Sequence, residues 1–469
     1  MIDIKAKQHD RYSMEFKVGF EGPHSEPEGE FAINTWLFLP GSLDINPSTY
    51  NKQQFQRDIK SNIRLITPEF SIDQLSDYDA PPYINLRDSV ASLPVAESFL
   101  KQPHSEELVH FEFQVKLFAA IFKSALRDDT NRLLAQAAPR SIEEWVGRLR
   151  LTLRHFRELR PSLPKITAVL QPFDFADEYM SQLVELHGNR LLAGTPCESV
   201  KDIILEEREY KESRHYVHID PKAQNNDNVV LRHSQLKKYI EGALYLKVET
   251  QRDGKAVEQF WLGIAAGVAM VISTLIALPF QHYWSNYPTL IFIILVVAYM
   301  LKDRIKEFMR SIFSNQLKNR YFDNKTTVKI KDRPIGWIKE SMNFVNDSRV
   351  PDEVMRLRNR SDVEKANTQL GEQIIFYRKR VFVDSDLLRG QNRYDFSGIH
   401  DIMRVHLHHF VQKMDDPDTP LRSIDTDGNT VSCPAKRTYP IVIVMQLQTK
   451  GNPPSYQSFH LSATREGLV

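Results

Sequence analysis

At 469 residues the chain is too long for one small core, and a mean hydropathy of −0.40 excludes a body built mostly inside lipid. A formal net charge of +1 excludes recruitment of nucleic acid by an overall field. Two cysteines, Cys197 and Cys433, exclude a disulfide framework or an all-cysteine zinc site.

The first residues carry no apolar stretch of the signal-peptide kind, so membrane insertion is expected to rest on an internal segment. MEFKVGF (14–20) and EFAINTWLFLP (30–40) flank a turn-rich stretch and predict a β-hairpin. Helical periodicity follows. Phe111, Val115, Phe118, Phe122 and Leu126 form one apolar stripe, and Trp145, Leu149, Leu153 and Phe156 another. Ser141 and Glu144 have the spacing of a capping box at the second helix, and Pro161 and Pro164 end it. Further helices are expected near 175–192, 198–213 and 234–246, with a loop near 224–230.

Two apolar runs come next. Phe260–Phe280 has 21 uncharged residues, and Tyr287–Leu301 has 15. At about 1.5 Å per residue these reach roughly 30 Å and 22 Å, against a hydrocarbon core of about 30 Å. The loop between them holds no Lys or Arg, whereas ten basic residues flank the runs from Lys247 to Lys325. That asymmetry predicts two spans with both termini cytoplasmic, in the inner or plasma membrane. Lys302, Arg304, Lys306 and Arg310 are expected at lipid headgroups, on a helix that continues past the second run with Ile305, Phe308 and Ile312 as its apolar stripe. Gly263 and Gly267 form G-x-x-x-G, and Ala265, Ala269, Ser273 and Ala277 recur every fourth residue; both sets suit close helix packing within the chain or between copies.

The last third reads as strands at TTVKIK, IGWIKESMNFV, QIIFYRKRVFV, TYPIVIVMQLQT and SYQSFHLSAT, interrupted by a helix at GIHDIMRVHLHHFVQKM. The expected fold class is thus a membrane-anchored multidomain protein. Residues 1–255 form a mainly α-helical cytoplasmic domain with a small β element. Residues 256–302 form a two-helix transmembrane hairpin with spans at about 260–280 and 287–301. Residues 303–469 form an interfacial helix and an α+β cytoplasmic domain.

Candidate chemistry is sparse. His406 and His409 have i, i+3 spacing if helical, and His215, His218 and Asp220 form a short string; either set offers metal ligands, but a solvated flank accounts for them without one. DTDGN (425–429) lacks the calcium-loop continuation and reads as a hairpin turn. Arg150, Arg154 and Arg157 line a helix face, suited to anionic headgroups or to acidic partners in the chain. No phosphate-binding glycine loop, nucleophile elbow or H-E-x-x-H occurs. No cofactor and no nucleic-acid partner are expected. The function expected is a membrane-tethered sensor, scaffold or interaction platform without catalysis of its own, with the bilayer and cytoplasmic proteins as partners and self-association through the first span. The alternatives are a metal-dependent or lipid-directed membrane enzyme and an oligomeric pore or membrane-disrupting effector.

Overall fold

The computed structural model describes residues 2–21, 28–93, 105–136, 139–220, 222, 224–283, 288–330, 333–360, 371–384, 386–387, 396–449 and 451–469. The strands are β1 (Ile2–Asp10), β2 (Ser13–Glu21), β3 (Glu28–Leu39), β4 (Ile59–Leu65), β5 (Lys247–Arg252), β6 (Asn324–Ile330), β7 (Arg333–Val345), β8 (Gln373–Asp384), β9 (Gly398–His406), β10 (Leu421–Ile424), β11 (Thr430–Cys433), β12 (Tyr439–Thr449), β13 (Ser455–Thr464) and β14 (Gly467–Leu468). Four of them form an antiparallel sheet in the order β1-β2-β9-β4. Eight form a second antiparallel sheet in the order β14-β13-β12-β3-β8-β7-β6-β5.

The two sheets face each other through alternating positions. On β9, Ile399, Asp401, Met403 and Val405 point inward; on β8, Ile375, Tyr377, Lys379, Val381 and Val383 do. Phe16 of β2 meets Phe459 of β13 edge-on, with ring centroids 5.3 Å apart. Between β4 and β5 the chain forms helices, chief among them Glu106–Gln136, Pro139–Glu158, Thr167–Gly194, Glu198–Ser213 and Asp227–Glu241. Phe156 stacks between Phe118 and Phe173, at 5.5 and 4.4 Å between centroids, so three of these helices share one apolar seam. A short helix, Asp352–Arg358, covers the outer face of the large sheet over Trp36, Phe38, Val442 and Val444.

The expected fold class is corrected on two counts. First, the structure is mixed, about 50% helix and 29% strand, so sheet is no minor element of a helical N-terminal domain. The segments expected to form an N-terminal hairpin do not pair with each other. β2 takes β1 and β9 as neighbours, whereas β3 lies between β8 and β12. The cause is local: Asp10 accepts the Tyr12 N–H at 2.8 Å in a tight turn that folds β1 onto β2, which leaves β3 to pair elsewhere.

Second, no two-helix transmembrane hairpin is evident. Among the described residues one helix, Lys255–Leu275, is long and apolar enough to cross a membrane. The helix that holds the second apolar run, Pro288–Arg320, continues into Lys302, Asp303, Arg304 and Lys306.

Smaller corrections follow the same lines. GIHDIMRVHLHHFVQKM is strand β9 followed by a four-residue helix, His408–Val411. Its alternating inward residues outweigh the helical spacing of Ile399, Met403 and Leu407. The helix expected to start at Ser141 is already helical at Pro139, so Ser141 is no cap. The loop expected near 224–230 gives way to helix at Asp227.

Candidate functional site

β5 and β6 are hydrogen-bonded neighbours, Thr250 opposite Thr326, and the whole apolar segment lies between them in sequence. The segment therefore leaves the sheet edge and returns to it. Its first helix, Lys255–Tyr283, lies along Pro288–Arg320. Ala265, Ala269 and Ala298 are buried between the two, and the Ser273 hydroxyl donates to the Ala298 carbonyl at 3.1 Å. Small residues permit this approach. Gly263 and Gly267 face away from it, with no atom within 4 Å of where a Cβ would stand. The Ala277 side chain lies outside what the structure describes.

Many of the other described apolar side chains of these helices are exposed. Phe260 is 66% exposed, Leu275 64% and Met300 63%, with Met270, Val271 and Phe292 similar. At the polar end, Lys302 sits 4.1 Å over the Tyr299 ring and Arg304 pairs with Glu307 at 3.6 Å, while Lys306 and Arg310 are exposed.

The histidines are dispersed. His406, at the end of β9, meets the Ser13 hydroxyl through Nδ1 at 2.7 Å, and His409 meets Asp58 at 3.2 Å. His215 sits in the left-handed region at φ 57°, and His218 lies 3.8 Å from Glu212. Among the described residues no three His, Cys, Asp or Glu side chains are grouped to hold a metal ion. The arginine face is matched within the chain: Arg150 pairs with Glu206, Arg154 with Glu158, and Arg157 with Asp177 and Glu207. DTDGN is the β10–β11 turn, with Gly428 at φ 83°.

A constellation the sequence reading missed lies between the sheets. Lys379 of β8 and Asp401 of β9 are each 1% exposed and form an ion pair across the sandwich. Lys379 also reaches Glu340 of β7 at 3.2 Å and the Ser61 hydroxyl at 3.3 Å, and Ser61 donates to Asp401 at 2.5 Å. Tyr377 donates its hydroxyl to Glu340. Burial works against charge on Lys379, but Asp401 and Glu340 outweigh it and raise its pKa above the ordinary lysine value. Burial, with the same carboxylates nearby, raises the Tyr377 phenol well above its usual range and keeps it a donor. A protonated lysine and a protonated phenol are hydrogen-bond donors, not nucleophiles.

This network borders a cavity of about 320 Å³. Ser61, Thr250, Asp323, Asn324, Thr326, Glu340 and Tyr377 give it polar walls; Phe55, Ile59, Ile63, Val248, Ile338 and Met342 give it apolar ones. Thr250 and Thr326 belong to the two strands that bracket the apolar helices, so the cavity stands at the root of those helices. The signal for the network was present in the sequence. Within QIIFYRKRVFV, Lys379 falls on the same alternation phase as Ile375, Tyr377, Val381 and Val383.

Compared with protein-family models, curated proteins and solved structures, the chain matches none of them.

Proposed function

We propose that the chain is a membrane-tethered sensor or interaction platform. Its sheet-and-helix body lies on the cytoplasmic face of the inner or plasma membrane, and the apolar helix Lys255–Leu275 is held in lipid. One observation carries this reading: the outward side chains of that helix are apolar and uncovered, as are those described on its neighbour Pro288–Arg320, whereas Glu106–Gln136, Pro139–Glu158 and Thr167–Gly194 bury their apolar stripes. Burying each such side chain in a nonpolar phase is worth about 1.5–3 kcal/mol, which favours lipid over water strongly for the set. The basic residues around it, Lys302, Arg304, Lys306 and Arg310 among them, fit the cytoplasmic side. The pairing of β5 with β6 supports a topology in which both flanks lie on the same side of the bilayer. Binding rather than turnover suits the sheet network, where Lys379 is held protonated. Cytoplasmic protein partners belong to the same reading, as does self-association at the open Gly263 and Gly267 face.

Flotation of the full chain with anionic liposomes tests the anchor. The unaltered chain is expected to float, and a variant carrying Phe260→Asp, Met270→Asp and Leu275→Asp is expected to remain in the dense fraction. A charge at the centre of a membrane helix costs about 2.5–3.5 kcal/mol. Equal flotation of the two, or flotation of neither, refutes the proposal.

A further inference from the structure

We propose that the cavity between the two sheets is a binding site for a small amphipathic amine, whose ammonium group pairs with Glu340 and whose apolar body lies against Phe55, Ile59 and Met342. The cavity volume, about 320 Å³, falls at the lower end of the range for small-molecule sites, and its mixed walls suit a ligand with one polar end.

The charge of the ligand follows from which partners are already taken. An ammonium has three donors. Those of Lys379 face three acceptors, on Asp401, Glu340 and Ser61. Lys52 is engaged with Asp323 at 2.7 Å. Arg378 contacts Ser341 at 3.1 Å from the opposite face of β8, with its guanidinium 5.1 Å from the Phe322 ring centroid. An anionic ligand would therefore have to break an existing ion pair to find a cation.

The acceptors are less completely used. Glu340 receives both Tyr377 and Lys379 on Oε1, and Oε2 has no hydrogen-bond partner among the described residues. Asp323, by contrast, accepts Lys52 on Oδ1 and the Met342 N–H on Oδ2 at 2.8 Å. Counting formal charges, Asp323, Glu340 and Asp401 stand against Lys52 and Lys379, which leaves one negative charge for a ligand to balance. Thr250 and Thr326 share one hydrogen bond at 2.9 Å between their hydroxyls and keep acceptor capacity for the remaining ammonium protons.

The placement also gives such a ligand a consequence. β5 leads directly into Lys255 and β6 follows directly from Arg320, so a molecule touching Thr250 and Thr326 bears on both ends of the apolar segment.

The test is calorimetric titration of the full chain in detergent with three probes of one shape: phenethylamine, 3-phenylpropionate and 2-phenylethanol. Detergent solution makes the result independent of anchoring to a bilayer. The amine is expected to bind and the acid to bind about tenfold more weakly or not at all, since a charge-assisted hydrogen bond is at stake. Glu340→Gln is expected to weaken the amine about tenfold. Thr250→Phe, on the exposed edge strand, fills the cavity while leaving the buried ion pair intact, and is expected to abolish binding without lowering the thermal midpoint. Absence of amine binding, equal affinity for amine and acid, or amine binding unchanged by either substitution overturns the proposal.

Discussion

Replacing Lys379 with methionine probes the link between the sheets most directly. Methionine keeps most of the side-chain volume and removes the charge. Asp401, 1% exposed, then retains only the Ser61 hydroxyl of the contacts described, and Glu340 retains only Tyr377. Removing one partner of a buried pair typically costs about 3–5 kcal/mol, because the other charge stays desolvated and uncompensated. Against a typical total stability of about 5–15 kcal/mol, that is a large fraction, and it should appear as a clear fall in the urea midpoint followed by circular dichroism. The double variant Lys379→Met/Asp401→Leu removes both charges and is expected to recover most of the loss, since apolar replacement of a whole buried pair is often neutral or better. The pH dependence has a definite sign. The folded-state pKa of Lys379 is raised above the ordinary 10.5. Its stabilisation is therefore fully present below pH 10.5 and is lost as pH rises through the higher folded value. The gap between the unaltered chain and Lys379→Met should stay constant from neutral pH to about 10 and shrink beyond it. A Lys379→Met midpoint within about 1 kcal/mol of the unaltered chain would refute the reasoning.

His400 gives the opposite pH signature. Burial, with Lys17, Arg64 and Lys5 nearby, lowers its pKa from 6.5 to about 3. The unfolded chain then takes up a proton that the folded chain refuses, so stability falls as pH drops from 6.5 towards 3. His400→Gln should flatten that fall, and identical acid slopes in thermal melts would contradict the assignment. Gly398→Ala places a Cβ 1.9 Å from the Phe20 carbonyl oxygen, so β2 and β9 must separate; a cost of about 1–3 kcal/mol is expected, and an unchanged melting midpoint argues against this register. Ala269→Leu inserts three heavy atoms where the two apolar helices touch, and should lower thermal stability in detergent by about 1–3 kcal/mol, whereas Gly267→Ala, facing open space, should leave it unchanged. Equal effects at the two positions would place the helix contact on the wrong face.

Local patterns were legible where one face of an element meets the core. The Phe111–Leu126 and Trp145–Phe156 stripes are buried as spaced, and the five late strands fall where alternation or apolar runs put them. GIHDIMRVH misled because Asp401 interrupts the apolar alternation, and its reason for being inside, Lys379, sits on a distant strand. Strand partnership was not legible at all. Nothing in EFAINTWLFL states that its neighbours are residues 373–384 and 439–449, because pairing is decided by tertiary fit rather than by local preference. The cavity was out of reach for the same reason as the strand partners: its walls come from β4, β5, β6, β7 and β8 and the helix Lys52–Asp58.

The position of β3 bears on biogenesis. Trp36 is seated only when both Phe376 and Val444 are available as neighbours. A nascent chain emerging amino end first must hold that strand unpaired through most of translation, while the greasy segment near residue 260 and its neighbouring helix emerge before β8 and β12 exist. Truncated products should therefore be prone to aggregation, and insertion of the helix is expected to precede closure of the large sheet.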